Sequence, residues 1–278
     1  MRSRTRSTSD GRVAADRSCV PVLGARRVGP ARRFAARLHG RHPAAVFFAA
    51  LLAGFALLAL TSIAVGLFVT DVLLDIRGLA RSDESAIRSL VSERTPFLTD
   101  ASEVGSTVGG APLLPILVGL IAIACAFLRR WLIAAFAVFA LTVESATYRV
   151  TSLAVPRDRP SVPRLEDLPV DASYPSGHTA AAIAVYAGLA LLITSRFPTR
   201  ALRIVAWVAA ILIPVFVAFS RMYRGMHHPL DVAGGLVIGI GALLVLLFAC
   251  RAAGAAQEAR RTRPARFQST SRRAQPVA

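Results

Sequence analysis

Apolar residues run along this chain in stretches long enough to cross a bilayer, separated by shorter polar segments. The runs cover about residues 44–70, 111–128, 131–148, 179–195, 204–219 and 232–250. Roughly 20 apolar residues suffice to span the hydrocarbon core, and lipid forces the backbone of such a run to satisfy its own hydrogen bonds. The pattern predicts an all-α, polytopic membrane protein with six transmembrane helices forming a bundle. The first run is too long, and starts too late, for a cleaved signal peptide. Residues 1–43 and 251–278 carry no apolar period and read as basic tails without fixed structure, which leaves 44–250 as the folded unit.

Charge orients the bundle. The chain is 54% hydrophobic with a mean hydropathy of +0.54, too apolar for an ordinary soluble domain. Its net charge is +17, and all 33 basic residues are arginine. Eleven arginines precede residue 44 and seven follow residue 250, the arrangement of cytoplasmic ends under the positive-inside rule rather than of a nucleic-acid-binding face. With the N-terminus inside, the Arg-rich turns at 129–130 and 196–203 also fall inside. Loops 71–110, 149–178 and 220–231 fall outside. The first of these is acidic, and Ile87, Leu90 and Val91 suggest a short amphipathic helix within it. Gly105, Gly109 and Gly110 read as breakers before the second span. Cys19, Cys125 and Cys250 have the spacing of neither a metal site nor a disulfide frame.

The candidate chemistry lies in the two later outer loops. Ser220 to Asp231 is polar yet sits between two apolar runs, where charge is costly unless it faces water or a ligand. Arg221 and Arg224 offer guanidinium forks suited to phosphate. His227 and Asp231 are four apart, so a helical continuation puts the carboxylate beneath the imidazole, fixing its tautomer and leaving one ring nitrogen as base or nucleophile. His228 is a rival, three residues from Asp231. In loop 149–178, Ser176 reads as an N-cap, Gly177 allows close backbone approach, and the free first-turn amides suit an oxyanion. His178 stands in that first turn, placed to deliver a proton. Arg157 and Arg159 add cations. Glu144, near the outer end of the third span, is read as a partner for Arg149 or another outer arginine, with a role in the site as the alternative. Trp131, Tyr148 and Trp207 are read as interface anchors.

Ser220-Arg221, His227 and Asp231 at this spacing resemble the third signature of the type-2 phosphatidic acid phosphatase superfamily, the membrane lipid phosphate phosphatases related to vanadium haloperoxidases. Pro175-Ser176-Gly177-His178 resembles its second signature and Arg159-Pro160 the end of its first. The resemblance covers about residues 44–250. It implies metal-free and cofactor-free hydrolysis of a lipid phosphate or diphosphate. His227 would attack phosphorus, Asp231 would orient it, and His178 would protonate the leaving group. Arg159, Arg221, Ser176 and Gly177 would hold the phosphoryl oxygens. A phosphohistidine would form and water would release phosphate. The first signature departs from the pattern: Ser152 stands where that family has Lys. Arg149, one helical turn earlier, is the first candidate replacement and Arg157 the second. Headgroup or phosphate transfer, and non-catalytic binding of anionic lipid, are the competing readings.

Overall fold

The computed structural model describes residues 20–167 and 172–271, with side chains through 262. Among the described residues it is helical and contains no strand. After Pro30–Arg37 (α1), the helices are Pro43–Leu73 (α2), Leu79–Ser92 (α3), Pro96–Gly109 (α4), Leu113–Phe127 (α5), Trp131–Ala154 (α6), Gly177–Arg196 (α7), Arg200–Tyr223 (α8) and Pro229–Ser271 (α9). Five of them (α2, α6, α7, α8 and α9) are long and apolar enough to cross a membrane.

The second span differs from the expected continuous run. α5 has 15 residues, about 22 Å at 1.5 Å per residue, short of a hydrocarbon core of about 30 Å. It reaches span length only together with α4, from which it is bent by 40° at a short break. The break falls at Gly110-Ala111-Pro112, where Pro112 precedes α5 and lacks an amide donor. Gly105 and Gly109, read from sequence as breakers, lie inside or at the end of α4 and serve packing. A Cβ on Gly109 would come within 2.3 Å of Val217 on α8, and one on Gly105 within 2.0 Å of Ser220 Oγ. Removing the side chains lets the two backbones approach, as small residues do between membrane helices.

α6 also runs past its expected end at Tyr148 and stops at Ala154, before Val155-Pro156. The residue before a proline is pushed out of the helical region, and Val155 is extended accordingly, at φ −116° and ψ 96°. Arg149 and Ser152 therefore belong to the helix and not to the loop.

α9 packs most extensively on α2 and also contacts α1, α6 and α7. Its Gly235 and Gly239 are four residues apart and lie against α7, where a Cβ would meet Ser176 O at 2.5 Å and Ala180 O at 2.7 Å. The helical description also reaches into the segments read as structureless. Val20 and Leu23 are buried against the same cluster as α1 and α9, and α9 continues to Ser271. The apolar face of α1 and alanines 252, 255 and 256 supply that contact. Residues 1–19 and 272–278 of the expected tails lie outside the described residues.

Gly109→Leu tests the close approach of α4 to α8. Overpacking of this kind costs on the order of 1–3 kcal/mol, so the detergent-purified variant is expected to melt at a lower temperature than the parent in a tryptophan-fluorescence scan. An unchanged midpoint would mean that the two helices are not in contact.

Candidate active site

Two turns and two helix starts build the site. α8 ends at Tyr223 and is closed two residues on by Gly225, whose φ of +73° is the left-handed conformation glycine tolerates. Gly225 N donates to Met222 O at 2.9 Å and Met226 N to Arg221 O at 3.0 Å, closing the helix end. The chain then turns so that His227 and His228 precede α9. Pro229 opens α9 without needing an amide partner, and Asp231 lies in its first turn. The His228 backbone amide donates to Asp231 Oδ2 at 2.8 Å. The second loop is tied to this one through the main chain: Ser176 N donates to Asp231 O at 2.9 Å. Tyr174, fully buried, holds the loop in place, its ring lying where a Cβ on Gly66 (α2) or Gly234 (α9) would be, 2.7 and 2.5 Å away.

These constraints bring His178 and His227 to one cavity of about 290 Å³, lined also by Gly110, Glu144, Tyr148 and Gly177. A Cβ at Gly110 would sit 2.4 Å from His178 Nε2. The Ser176 side chain does not cap α7; its hydroxyl meets that of Thr179 at 2.9 Å instead. The position read as an N-cap thus fills that place by its backbone alone.

The two adjacent histidines differ sharply. His227 Nδ1 lies 2.8 Å from Ser173 O and 3.8 Å from Asp231 Oδ2. The backbone carbonyl, more than the carboxylate foreseen from the i, i+4 spacing, therefore fixes the ring. With Nδ1–H donating there, Nε2 carries the lone pair. Burial pushes the His227 pKa down, outweighing the attraction of Asp231. His228 has both ring nitrogens engaged, Nδ1 with Asp231 at 3.3 Å and Nε2 with Glu84 at 3.0 Å. Burial pulls its pKa down, but the bonds to Asp231 and Glu84 prevail and raise it. Between the two rivals, His227 has the free nitrogen.

The arginines divide in the same way. Arg221 is wholly buried; its Nη1 donates to Ser106 Oγ and to Glu166 Oε2 at 2.6 Å. Its Nε and Nη2 are buried with no hydrogen-bond partner, donor capacity that an oxyanion would use. Arg159 is anchored through Met226 O at 2.6 Å and Ala172 O at 3.2 Å. Arg224 is tied to Glu166, Ser102 and Leu165 O. Arg157 bridges Asp83 and Asp231, so it neutralises the Asp231 carboxylate. Arg149 is exposed and is absent from the cavity lining. It stands one helical turn before Ser152, but its side chain is exposed whereas Ser152 is buried. Ser152 itself is buried and bonds back to Arg149 O at 3.0 Å. Among the described residues Glu144 pairs with neither Arg149 nor another arginine; its carboxylate accepts from Ser145 Oγ at 3.0 Å.

Sequence reasoning missed Asp83, Glu84, Ser106, Glu166 and Ser173. Asp83 and Glu84 come from α3, inside the segment read as an acidic outer loop; their adjacency there was the available signal. No spacing rule pointed to Ser173 or Ser106, which act through tertiary contact. No group of three or more metal-ligating side chains occurs among the described residues.

Residues 131–253 match the family model described as PAP2 superfamily. Over 161 residues, 57% of this chain, the sequence is 26% identical to phosphatidylglycerophosphatase B of Bacillus subtilis and covers 78% of it. Over 75 residues, 27% of this chain, it is 43% identical to an undecaprenyl-diphosphatase of Sulfolobus acidocaldarius, of which the match spans 32%. The fold is similar to a solved structure described as the first transmembrane PAP2 type phosphatidylglycerolphosphate phosphatase from Bacillus subtilis. The TM-score is 0.58 at 23% identity, covering 73% of this chain and 93% of that one. The chain is a multi-pass membrane protein, and its residues 131–253 are similar to the PAP2 superfamily.

Glu166 gives a pH test. Burial alone would raise its pKa, but Arg221 and Arg224 hold it down at about 2 against the ordinary 4.5. A depressed carboxylate contributes stability that is complete above about pH 4.5 and is lost as pH falls toward 2. The melting temperature of the parent protein is expected to drop across that window. Glu166→Gln should start lower at pH 7 and drop less. Parallel curves for the two proteins would count against the pairing.

Proposed function

We propose that the protein is a lipid phosphate phosphatase whose nucleophile is His227. The observation that carries this reading is the shared cavity: His178 and His227, 49 positions apart in sequence, line one space, and the partly unsatisfied guanidinium of Arg221 acts electrostatically on both. His227 Nε2 would attack phosphorus while its Nδ1–H stays on Ser173 O. Positive charge developing on the ring is met by Asp231 Oδ2, 3.8 Å away. The P–O bond to the lipid breaks as the P–N bond forms, and His178 gives its proton to the departing oxygen. Water, deprotonated by His178, then attacks the phosphohistidine and releases inorganic phosphate. Charge spreads over the equatorial oxygens during both displacements, and donors fixed in advance stabilise it most. Arg221, Arg159, the Ser176 hydroxyl and the first-turn amides around Gly177 are the groups assigned to them.

The substrate class follows from position. A phosphate site at the end of apolar helices can admit a headgroup while the tail remains in hydrocarbon. Both named relatives, undecaprenyl-diphosphatase and phosphatidylglycerophosphatase B, act by name on phosphorylated lipids. The outward orientation argued from arginine placement favours a polyprenyl diphosphate, with phosphatidate and phosphatidylglycerophosphate as the other members of the panel. Transfer of the phosphoryl group to another acceptor is the second reading; it shares His227 and differs only in what attacks the intermediate.

Phosphate release by the purified protein from this panel is the test. His227→Ala is expected to lose on the order of 10³-fold or more in kcat. His228→Ala, which loosens Asp231 without removing the nucleophile, should lose far less. Release that survives His227→Ala would overturn the assignment. A scan with membrane-impermeant reagents on cysteines introduced in loop 149–178 tests the outward orientation.

A further inference from the structure

Glu144 has no task in the chemistry above. It lies in α6 at 1% exposure, and Ser145 Oγ is its hydrogen-bond partner. It forms no ion pair with any described residue. The cation expected to meet it, Arg149, is exposed. Yet Glu144 lines the same cavity as His178 and His227, next to Ser145 and one turn before Tyr148.

A buried carboxyl in a membrane-spanning helix is costly as an ion without a partner. The cavity must also admit an anion under the phosphatase reading, and a carboxylate in its wall would repel one. Both difficulties disappear if the group keeps its proton. A carboxylic acid then presents an O–H donor to a space whose occupant is rich in acceptor oxygens. Titratable neighbours facing the cavity are His178 from α7, His227 from the α8–α9 turn and Tyr148 from α6. The α4–α5 break and α5 contribute Gly109, Gly110, Ala111, Leu114 and Pro115, none of which titrates.

We propose that Glu144 is a substrate-contacting residue. In its uncharged form it donates a hydrogen bond to a headgroup oxygen next to the scissile phosphorus, and so sets which phosphorylated lipids the cavity accepts. This rests on the phosphatase reading and extends it to the α6 wall of the cavity. A diphosphate or a glycerol-linked phosphate offers such an oxygen, and ionisation of Glu144 at high pH would turn attraction into repulsion.

The test compares parent, Glu144→Gln and Glu144→Leu in phosphate release from short-chain phosphatidate and a short polyprenyl diphosphate, across pH 5 to 10. Gln retains a donor that cannot ionise. It is expected to keep most of the parent kcat/KM near neutrality and to hold its activity further into the alkaline range. Leu should lose on the order of tenfold in kcat/KM, the range for leaving a buried partner unsatisfied, without a lower melting temperature. The proposal is overturned if Leu matches the parent, or if Gln shows the parent's alkaline decline. It also falls if Leu loses activity only in proportion to a lowered melting temperature. If the parent releases no phosphate from either lipid, the phosphatase reading fails by itself. Equilibrium binding of the same two lipids then decides: binding weakened by Leu and kept by Gln supports the contact, and equal binding by all three overturns it.

Discussion

The site depends on how closely α7 can lie against α9. Gly235 and Gly239 remove the side chains that would hold the helices apart, and a Cβ at either position would collide with α7 backbone oxygens at 2.5 and 2.7 Å. That contact lets Ser176 N reach Asp231 O at 2.9 Å, and this single main-chain bond joins the start of one helix to the start of the other. Each helix begins with a histidine at or just before it. Bringing the starts together brings the histidines together. Helix packing, rather than any attraction between the polar groups, therefore supplies the geometry.

Once the starts meet, charge has to be settled within a small volume. Asp231 receives Arg157, the Ser173 hydroxyl, and the amide and ring of His228. Arg157 in turn holds Asp83, and His228 holds Glu84, so α3 is drawn over the site by two carboxylates. Glu166 joins Arg221 to Arg224. Buried ions are tolerated when paired and hydrogen-bonded on all sides, and this network meets most of that requirement. The exceptions are informative: two nitrogens of Arg221 remain without partners within electrostatic reach of His178 and His227, and an oxyanion is their natural complement.

Much of this was legible from sequence, and the failures have physical causes. Five spans and the meeting of the two histidine motifs follow from hydropathy and parity; the preference for His227 over His228 rests on the family resemblance, since spacing alone leaves both open. The broken second span does not, because α4 is not apolar enough to register as a membrane segment; it is held by Gly105 and Gly109 against α8, a contact invisible to a window average. The end of α6 was set too early because Arg149 looked like a boundary, whereas Pro156 ends the helix. The helix does continue through Arg149, as its candidacy for the place of a lysine at 152 requires, yet its side chain is exposed and absent from the cavity lining. The i, i+4 relation of His227 and Asp231 holds, but the turn at Gly225 places Ser173 O nearer to the imidazole, so a backbone carbonyl takes the role foreseen for the carboxylate.

The serine at 152 can now be weighed against the cations present. A lysine there would add a mobile charge next to the bound phosphoryl group. Neither nearby arginine replaces it: Arg149 is outside the cavity, and Arg157 is committed to Asp83 and Asp231. Under the proposed reading, stabilisation of a transferring phosphoryl group would fall instead on Arg221, Arg159 and the first-turn amides of α7. Guanidinium and amide donors are fixed in direction, whereas an ammonium on a four-carbon stem is not. A site built this way accepts a narrower range of phosphoryl orientations, and it gains more from any further donor that points at the headgroup. Glu144 is the one buried carboxyl in the cavity lining and stands on α6, the helix that carries Ser152 two turns further on. Under the proposed reading, a neutral contact from Glu144 would offset part of what a charged side chain at 152, on the same helix, would have supplied.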